Sequence, residues 1–447
     1  MKKIYFLLGF LSLTQLSFGQ EYDISNLTLQ ESIEIALDNN INLQRTELNL
    51  LNIEAGLLEA RGNVYPSFSF GVAPQVRWGR NINPVTNLFE TRRIGAVNLF
   101  ANANVTLFAG RQITNSINQA KVQSEAGRLD VEASRNDITL SVINFFVNVV
   151  FAKEQVNIAT SQLNTSTEQF DRTAKLVEAG SLPLGDRLDL EAQKATSELE
   201  LINANNNLRL AKLNLSQLLQ VPFSEDFDVD FPDLQAEDYA IEEVNVDHIF
   251  AVALETMPQI RAAALDVKSA EIGQRIARGA FYPTLGIGGN VFSNYIDQPS
   301  FPRPEIDPFF TQIENNLAQQ LSLNLNIPVF SNFRNTAGVQ RANVQKRLSE
   351  LQQIEVTNTL LQDIETAFTN ATAARQSYRS STIRVKALEE SFRMTQQRFN
   401  VGGVNAVDFQ VAQNNLFNAQ ADLLNAKYEY IFRVKVLDFY LGNPISL

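Results

Sequence analysis

Few side chains in this sequence could carry out covalent or metal chemistry. The 447 residues include one histidine and no cysteine, so the nucleophile–base pairs of hydrolases and His/Cys metal clusters are not available. Carboxylates remain: Asp186 and Asp189 are one helical turn apart, and Asp408 occupies the corresponding place in the second half of the chain. The glycine-rich residues 286–289 lack the lysine and following helix of a phosphate-binding loop. We therefore expect no enzyme activity, no cofactor and no bound metal.

The second half of the chain repeats the first. Residues 60–66 read Ala-Arg-Gly-Asn-Val-Tyr-Pro, and residues 277–283 read Ala-Arg-Gly-Ala-Phe-Tyr-Pro. The same ungapped offset relates six further pairs: Phe108 and Phe330, Ala120 and Ala342, Phe170 and Phe392, Gly180 and Gly402, Asp186 and Asp408, and Pro222 and Pro444. Repeats of this length are too long for solenoid units, so each is expected to be a module of several elements. We expect repeats at 20–222 and 247–447, joined by an acidic segment at 223–246.

The N-terminal residues predict export. Lys2 and Lys3 precede an apolar run that ends at Leu13, and Ser17 and Gly19 are small residues suited to cleavage, so residues 1–19 are expected to be a signal peptide. The run is too short to cross a bilayer as a helix, and no stretch of 18 apolar residues follows it. The net charge of -12 argues against nucleic acid as a partner.

Each repeat is predicted to contain a helix, two strands, a very long helix, a turn and a return helix. The first helices are expected at 29–61 and 247–278, each ending before a Tyr-Pro pair, Tyr65-Pro66 or Tyr282-Pro283, which marks the junction with a strand. Alternation of apolar and polar residues then predicts strands at about 67–78 and 96–108, and at about 284–296 and 317–330. The connections at 79–94 and 298–316 are expected to be long loops.

The alternating strands have two interpretations. One is a half-buried antiparallel sheet in a soluble domain. The other is the wall of a transmembrane β-barrel, in which apolar side chains face lipid and small polar side chains face water. The long outer connections favour the barrel. Four strands cannot close a barrel, and an open edge cannot face lipid, so a membrane sheet would require oligomerisation.

Residues 112–178 and 334–401 contain no proline and are predicted to form helices about 100 Å long. Ile117, Ser124, Val131 and Ile138 follow a period of seven, and Val122, Leu129, Ile143 and Val150 form a second seam. Two seams indicate two helical neighbours. Gly180, Pro183, Gly402 and Gly403 mark helix reversals, which lead to return helices at 184–220 and 406–441. A rod-like coiled-coil protein of the periplasm is the alternative for these helices alone.

The ordered motifs resemble those of the TolC-like outer-membrane efflux proteins. The resemblance rests on the opening residues 27–40, the two Tyr-Pro junctions, residues 107–111 and residues 398–408. It implies a mainly α fold with a membrane β part, in which three chains form a 12-stranded barrel in the outer membrane and a 12-helix periplasmic tunnel. It further implies a passive exit duct that works with a periplasmic adaptor and an inner-membrane transporter of RND or ABC type. Efflux of small molecules and type I protein secretion both remain open.

The resemblance also suggests roles for the helix reversals. In TolC-like proteins a ring of aspartates narrows the periplasmic end, and Asp186, Asp189 and Asp408 are the candidates for such a gate. Their alternative role is to stabilise the dipole at the start of a helix. The turn residues Gly180, Pro183, Gly402 and Gly403 are expected to dock the adaptor. The acidic segment 223–246 is either an equatorial collar around the tunnel or a solvated linker.

Overall fold

The computed structural model describes residues 25–230, 245–298 and 305–443. The predicted signal peptide, and residues 231–244 of the acidic segment, lie outside the described residues. The elements of the first half are α1 (Leu29–Asn39), α2 (Ile41–Gly62), β1 (Ser67–Ile82), β2 (Phe89–Ala109), α3 (Gln112–Glu178) and α4 (Leu184–Leu218). Those of the second half are α5 (Val246–Thr256), α6 (Pro258–Gly279), β3 (Thr284–Ile296), α7 (Phe309–Asn315), β4 (Ala318–Asn326), α8 (Arg334–Asn400) and α9 (Ala406–Tyr440).

The first helix of each half is broken in two, so the prediction of single helices at 29–61 and 247–278 is wrong. Asn40 has extended backbone angles, and its side-chain oxygen accepts hydrogen bonds from the backbone N–H groups of Asn42 and Leu43, which starts α2. In the second half Pro258 begins α6. Proline lacks the N–H that would continue the preceding helix and disfavours helical angles at the residue before it.

The first hairpin is longer than expected, and the loop predicted at 79–94 is wrong. β1 continues to Ile82 and β2 starts at Phe89. Asn83 closes the short turn, because its N–H donates to the Leu88 carbonyl at 2.8 Å and its side chain accepts from the Val85 N–H at 2.9 Å. The alternation was hard to recognise because arginines replace apolar residues at this end. In the second hairpin β4 ends at Asn326, two residues before Pro328, which cannot donate a ladder hydrogen bond.

The four strands form one antiparallel sheet in the order β1-β2-β3-β4, so the β2–β3 pair joins the two halves. The register separates an apolar face from a polar one. On the apolar face Val72 lies opposite Leu99, and Ile287 lies opposite Leu323. Leu323 keeps 67% of its surface exposed. The sheet of one chain therefore presents a large apolar face, most of which the described residues leave uncovered. The exception is the end of β3 beside α7, where Ser293 is buried and the Tyr295 ring lies 5.2 Å from that of Phe309.

The polar face carries asparagines from neighbouring strands. Asn102 lies opposite Asn290, whose side-chain amide donates a hydrogen bond to it. The exception is Phe100, which lies opposite Phe292 and whose ring occupies the space that a side chain at Gly71 would need. Arg77, Arg92 and Ile94 share this face near the turn. Between them and the helices, apart from the aromatic pair, the face has the small polar character of a water-filled lumen.

The helices form an elongated wall in which α3 is central. Helix α3 packs against α2, α4, α6 and α9, whereas α8 packs mainly against α6 and α9. The predicted seams of α3 are confirmed, since Val131, Ile138, Leu129 and Ile143 are buried. On α8, by contrast, Leu351, Ile354 and Ile383 remain about half exposed or more. None of the described helices has an apolar stretch long enough to cross a membrane.

The described start of the acidic segment is attached to this wall. The N–H of Leu27 donates to the Asp228 carbonyl at 3.1 Å, and the N–H of Asp230 donates to the Leu27 carbonyl at 2.9 Å. The Asp228 carboxylate pairs with Lys153 at 3.1 Å and Lys212 at 3.2 Å. Burial alone would raise the pKa of Asp228, but the hydrogen bond from the Val229 N–H and the two ammonium groups hold this pKa below its ordinary value.

The substitution Asp228→Asn is expected to lower the free energy of unfolding by about 1 kcal/mol at pH 7, because it removes the ion pairs with Lys153 and Lys212. The loss is modest because the carboxylate is only partly buried. The folded pKa is lower than the unfolded one, so the stabilisation is present above about pH 4 and is lost as pH falls through the folded value. Denaturant unfolding at pH 7 and pH 3 should therefore show a difference between wild type and variant that shrinks in acid. Asp226→Asn, at an exposed position, is the control, and equal losses in both variants would contradict the prediction.

Candidate functional site

Two helix reversals lie at the end of the helical wall far from the sheet. Gly180 and Gly402 have φ values of +71° and +73°, left-handed conformations that favour glycine. The N–H of Ser181 donates to the Leu176 carbonyl at 2.8 Å, and the N–H of Gly403 donates to the Arg398 carbonyl at 2.7 Å. These bonds satisfy carbonyls at the ends of α3 and α8. Both predicted turns are confirmed as tight glycine-dependent reversals.

The two reversals line one cleft of about 660 Å³, here called the tip cleft. Asp186 and Asp408 both line it, each from the first turn of its helix. Asp186 is half-buried and Asp408 is exposed. Asn405 caps α9 by accepting a hydrogen bond from the Asp408 N–H at 2.7 Å. The fold therefore brings together two carboxylates that are far apart in sequence.

Cationic side chains share the tip cleft with these carboxylates. Arg172 and Arg398 both line it, and the Arg172 guanidinium donates to the side-chain oxygen of Asn400 at 2.6 Å, which links α3 to the end of α8. Asp186 and Asp408 also lie where a negative charge interacts favourably with the helix dipole.

Asp189 does not line the tip cleft. Its side chain is exposed, and its backbone carbonyl accepts a hydrogen bond from the Gln410 side chain at 2.9 Å. Asp189 thus lies one helical turn beyond Asp186 and outside the cleft. The structure places two of the three candidate carboxylates together and leaves the third on the surface.

The two halves differ in their packing at the tip. Phe409 is fully buried, and its ring lies 4.8 Å from that of Phe399 and 5.5 Å from that of Phe392. At the corresponding positions the first half has Arg187, Val177 and Phe170. The aromatic cluster is therefore specific to the α8–α9 reversal, and the sequence analysis did not identify it, although three phenylalanines within one reversal were visible.

Helices α4 and α9 meet through amide groups above the cleft, and the Ser166 hydroxyl of α3 contacts both helices. Gln193 and Asn414 exchange two hydrogen bonds, at 3.0 and 3.3 Å. Gln413 donates to the hydroxyl of Ser166 at 3.4 Å, and Ser166 lies 3.0 Å from Ser197. This polar interface was not predicted, because its only sign in the sequence is the run of amide side chains near the start of α9. Such an interface has less apolar burial than the rest of the wall.

A pair of acids lies higher in the wall, between α3 and α6. Burial raises the pKa of Asp130, and the nearby charge of Asp266 raises it further; burial also raises the pKa of Asp266. Asp266 lines a second cleft, of about 420 Å³, between α3, α6 and α8. Among the described residues no group of acidic or histidine side chains has an arrangement that could hold a metal ion.

The Tyr-Pro pairs lie at the predicted junctions. Tyr65 and Tyr282 each donate a backbone hydrogen bond to the last helical residue, Gly62 or Gly279, before the strand begins. Gly110 lies against the second junction with a φ of +59°, and a side chain there would collide with the Gly279 carbonyl. This close approach connects the end of the sheet to the top of the helical wall.

Comparisons with known proteins agree with this architecture. The profile of the outer membrane efflux protein family matches residues 32–220 and 250–443. The outer membrane protein TtgC of Pseudomonas putida, named as a probable efflux pump component, is 23% identical over 171 residues. That alignment covers 38% of this chain and 33% of TtgC, so the match spans about a third of the curated relative's length.

Solved channels share the fold over nearly the whole chain. The outer membrane protein VceC of Vibrio cholerae is 17% identical, with a TM-score of 0.76 over 94% of this chain and 97% of its own. The open state of the MtrE outer membrane channel of Neisseria gonorrhoeae is 19% identical, with a TM-score of 0.75 over 93% and 89%.

These findings confirm the resemblance to TolC-like proteins, the outer-membrane location and the absence of an enzymatic role. The profile covers most of both halves, including the two long helices and their reversals. The chain belongs to the outer membrane efflux protein family.

Proposed function

We propose that this chain is the outer-membrane exit duct of a tripartite efflux pump. In this role it would be a passive conduit for substrates handed over by an inner-membrane transporter of RND or ABC type through a periplasmic adaptor. The observation that carries the proposal is the combination, in one chain, of a sheet with an exposed apolar face and a helical wall about 100 Å long. Curated relatives named as efflux pump components support efflux rather than protein secretion.

The free edges of the sheet support assembly into a trimer. Strands β1 and β4 are the two ends of the described four-stranded sheet, and an unpaired edge in lipid would leave backbone groups without hydrogen bonds. Three copies would close a 12-stranded barrel, which has room for a lumen. The exposed apolar residues of α8 support the same conclusion, because a neighbouring chain would cover them.

The duct is tested by deleting the gene and measuring accumulation of a fluorescent efflux substrate such as ethidium. Accumulation should rise several-fold and return to the original level with the wild-type gene, and the purified protein should conduct ions across planar bilayers as a heat-modifiable trimer. Unchanged accumulation together with loss of a secreted protein would contradict efflux. A soluble oligomer without conductance would contradict the duct itself.

We further propose that the tip cleft is the periplasmic gate and that its turns dock the adaptor. Three chains would bring six carboxylates, from Asp186 and Asp408, around one axis, and cations would bind there through Coulomb attraction. The turn residues Gly180, Pro183, Gly402 and Gly403 are the outermost part of the helical wall, where an adaptor would meet the duct end to end.

The gate is tested by the double substitution Asp186→Asn and Asp408→Asn. We expect about tenfold weaker block of single-channel current by Mg²⁺ added on the helical side, because the cleft loses both carboxylates and keeps the charges of Arg172 and Arg398. Asp189→Asn is the matched control, since this carboxylate lies one turn away and outside the cleft. Equal Mg²⁺ block in the double variant and wild type would exclude a gate at these residues.

A further inference from the structure

Two arginines lie on the apolar face of the sheet, at the end away from the helices. Arg80 is opposite Thr91 and Trp78 is opposite Arg93, so the antiparallel register places Arg80 and Arg93 on the same face as Val72 and Trp78. Both arginines are exposed. We call Arg80 and Arg93 the rim pair.

The rim pair lies at the outer end of the apolar band of this face, where Arg93 is opposite Trp78 and Arg80 is two residues beyond it. From Phe68 to Trp78 the strand advances about 33 Å, which at the usual tilt of barrel strands corresponds to the roughly 25 Å height of a lipid-facing band. Trp78 beside Arg93, and Phe89 on the turn side of Arg80, are 73% and 61% exposed, as expected for aromatic residues at a membrane interface. The rim pair is therefore at headgroup depth in the outer leaflet, since the helices extend from the opposite end of the sheet.

The charge of the rim pair is not neutralised by an ion pair within the described residues. The Arg80 guanidinium lies 4.6 Å from the ring centroid of Phe89, a cation–π contact. Glu90, the only acid between residues 67 and 109, lies on the other face, where it pairs with Arg92 and accepts from Asn83. The connection between β3 and α7 carries Glu305 and Asp307, and neither is within 4.0 Å of the Arg80 or Arg93 guanidinium among the described residues.

One acid does share the face of the rim pair. Asp297 lies opposite Gly95, whose carbonyl accepts its backbone N–H at 2.8 Å, and its carboxylate lies against Gly95. Among the described residues it forms no ion pair of 4.0 Å or less with either arginine. It leaves the face with a net positive charge at this level.

We propose that the rim pair binds the phosphate of a lipid headgroup in the outer leaflet. The two arginines are diagonal neighbours with Cβ atoms about 7 Å apart, so both guanidiniums can donate to the oxygens of one phosphate, the geometry that arginine favours. Trp78 lies beside Arg93 and Val76 lies two residues closer to the helices on the same face, where they would contact the acyl chains of the same lipid. A phosphate that carries acyl chains thus matches both parts of the surface, whereas inorganic phosphate matches only one.

The test uses Trp78, which is the only tryptophan of the chain, as the reporter. Full-length trimers are reconstituted in phosphatidylcholine vesicles containing a few per cent phosphatidic acid with brominated acyl chains, which quench tryptophan on contact. We expect brominated phosphatidic acid to quench the fluorescence of Trp78 about tenfold more strongly, per mole of lipid, than brominated phosphatidylcholine does. The double substitution Arg80→Gln and Arg93→Gln should remove this preference, and Asp297→Asn should strengthen it.

The matched control is Arg77→Gln with Arg92→Gln, which removes the same charge at the same height from the polar face and should leave the preference unchanged. Equal quenching by the two lipids in wild type, or an unchanged preference in the Arg80 and Arg93 variant, would overturn the proposal. Complete competition by millimolar inorganic phosphate would also overturn it, in favour of a free-phosphate site. Conductance of the same samples reports on the duct separately, and the rim variant is expected to conduct normally.

Discussion

Val72→Arg is expected to abolish the outer-membrane trimer. Val72 lies midway along the apolar band of β1, opposite Leu99, and 53% of its surface is exposed. An arginine near the bilayer midplane of a β-barrel costs about 2–4 kcal/mol, and a trimer carries three copies of the change. That total approaches the stability of an ordinary protein, so the variant should fail to insert.

The control for this prediction is the next residue along the strand. Ala73→Arg adds the same side chain on the polar face, opposite Asn98, where water can solvate it. Unboiled outer-membrane samples run on denaturing gels should show a trimer band for Ala73→Arg and none for Val72→Arg. Equal trimer yields from the two variants would mean that the apolar face does not contact lipid.

Phe409→Ala is expected to loosen the tip. Phe409 is fully buried between Phe392 and Phe399, and truncating a buried phenylalanine costs about 3–5 kcal/mol. The loss is local because α4 and α9 meet through hydrogen-bonded amides near the tip, which provide little apolar burial to compensate. We expect rapid protease cleavage within residues 399–409 and a higher closed-state conductance.

Val407→Ala is the control for the tip, because Val407 is 52% exposed two residues away. It should leave protease resistance and closed-state conductance at their wild-type values. If both variants behave alike, the aromatic cluster does not determine the closure of the tip. A Phe409→Leu variant, which retains part of the buried volume, should give an intermediate result.

The long helices and their reversals were predictable because their signals are local. The bounds of α3 and α8 agree with the prediction to within one residue, since a seven-residue seam persists until a glycine that adopts a left-handed conformation ends it. The break at Asn40 was missed because its cap depends on backbone angles that many asparagines do not adopt. The length of the first hairpin was missed because arginines near its turn interrupt the alternation.

The candidate site was also predictable only in part. Residue types alone pointed to the acids at the reversals, but they could not show that Asp186 and Asp408 line one cleft while Asp189 lies outside it. That difference depends on how α4 and α9 pack, and their contact is built from scattered amides, such as Gln193 and Asn414, rather than from a periodic apolar seam. The sequence likewise could not show that Arg80 and Arg93 share one face, because this depends on the register of β1 against β2.

By itself, the sequence predicted the repeated order of elements and, through its ordered motifs, the family. The order of elements follows from periodicity, which specifies the faces of each helix and strand wherever the element is placed. Only the tertiary structure decided that β2 pairs with β3 across the two halves, that α3 is the central helix and that α8 keeps an uncovered apolar side. Periodicity shows that a face must be covered, but the choice of partner depends on contacts between residues far apart in the chain.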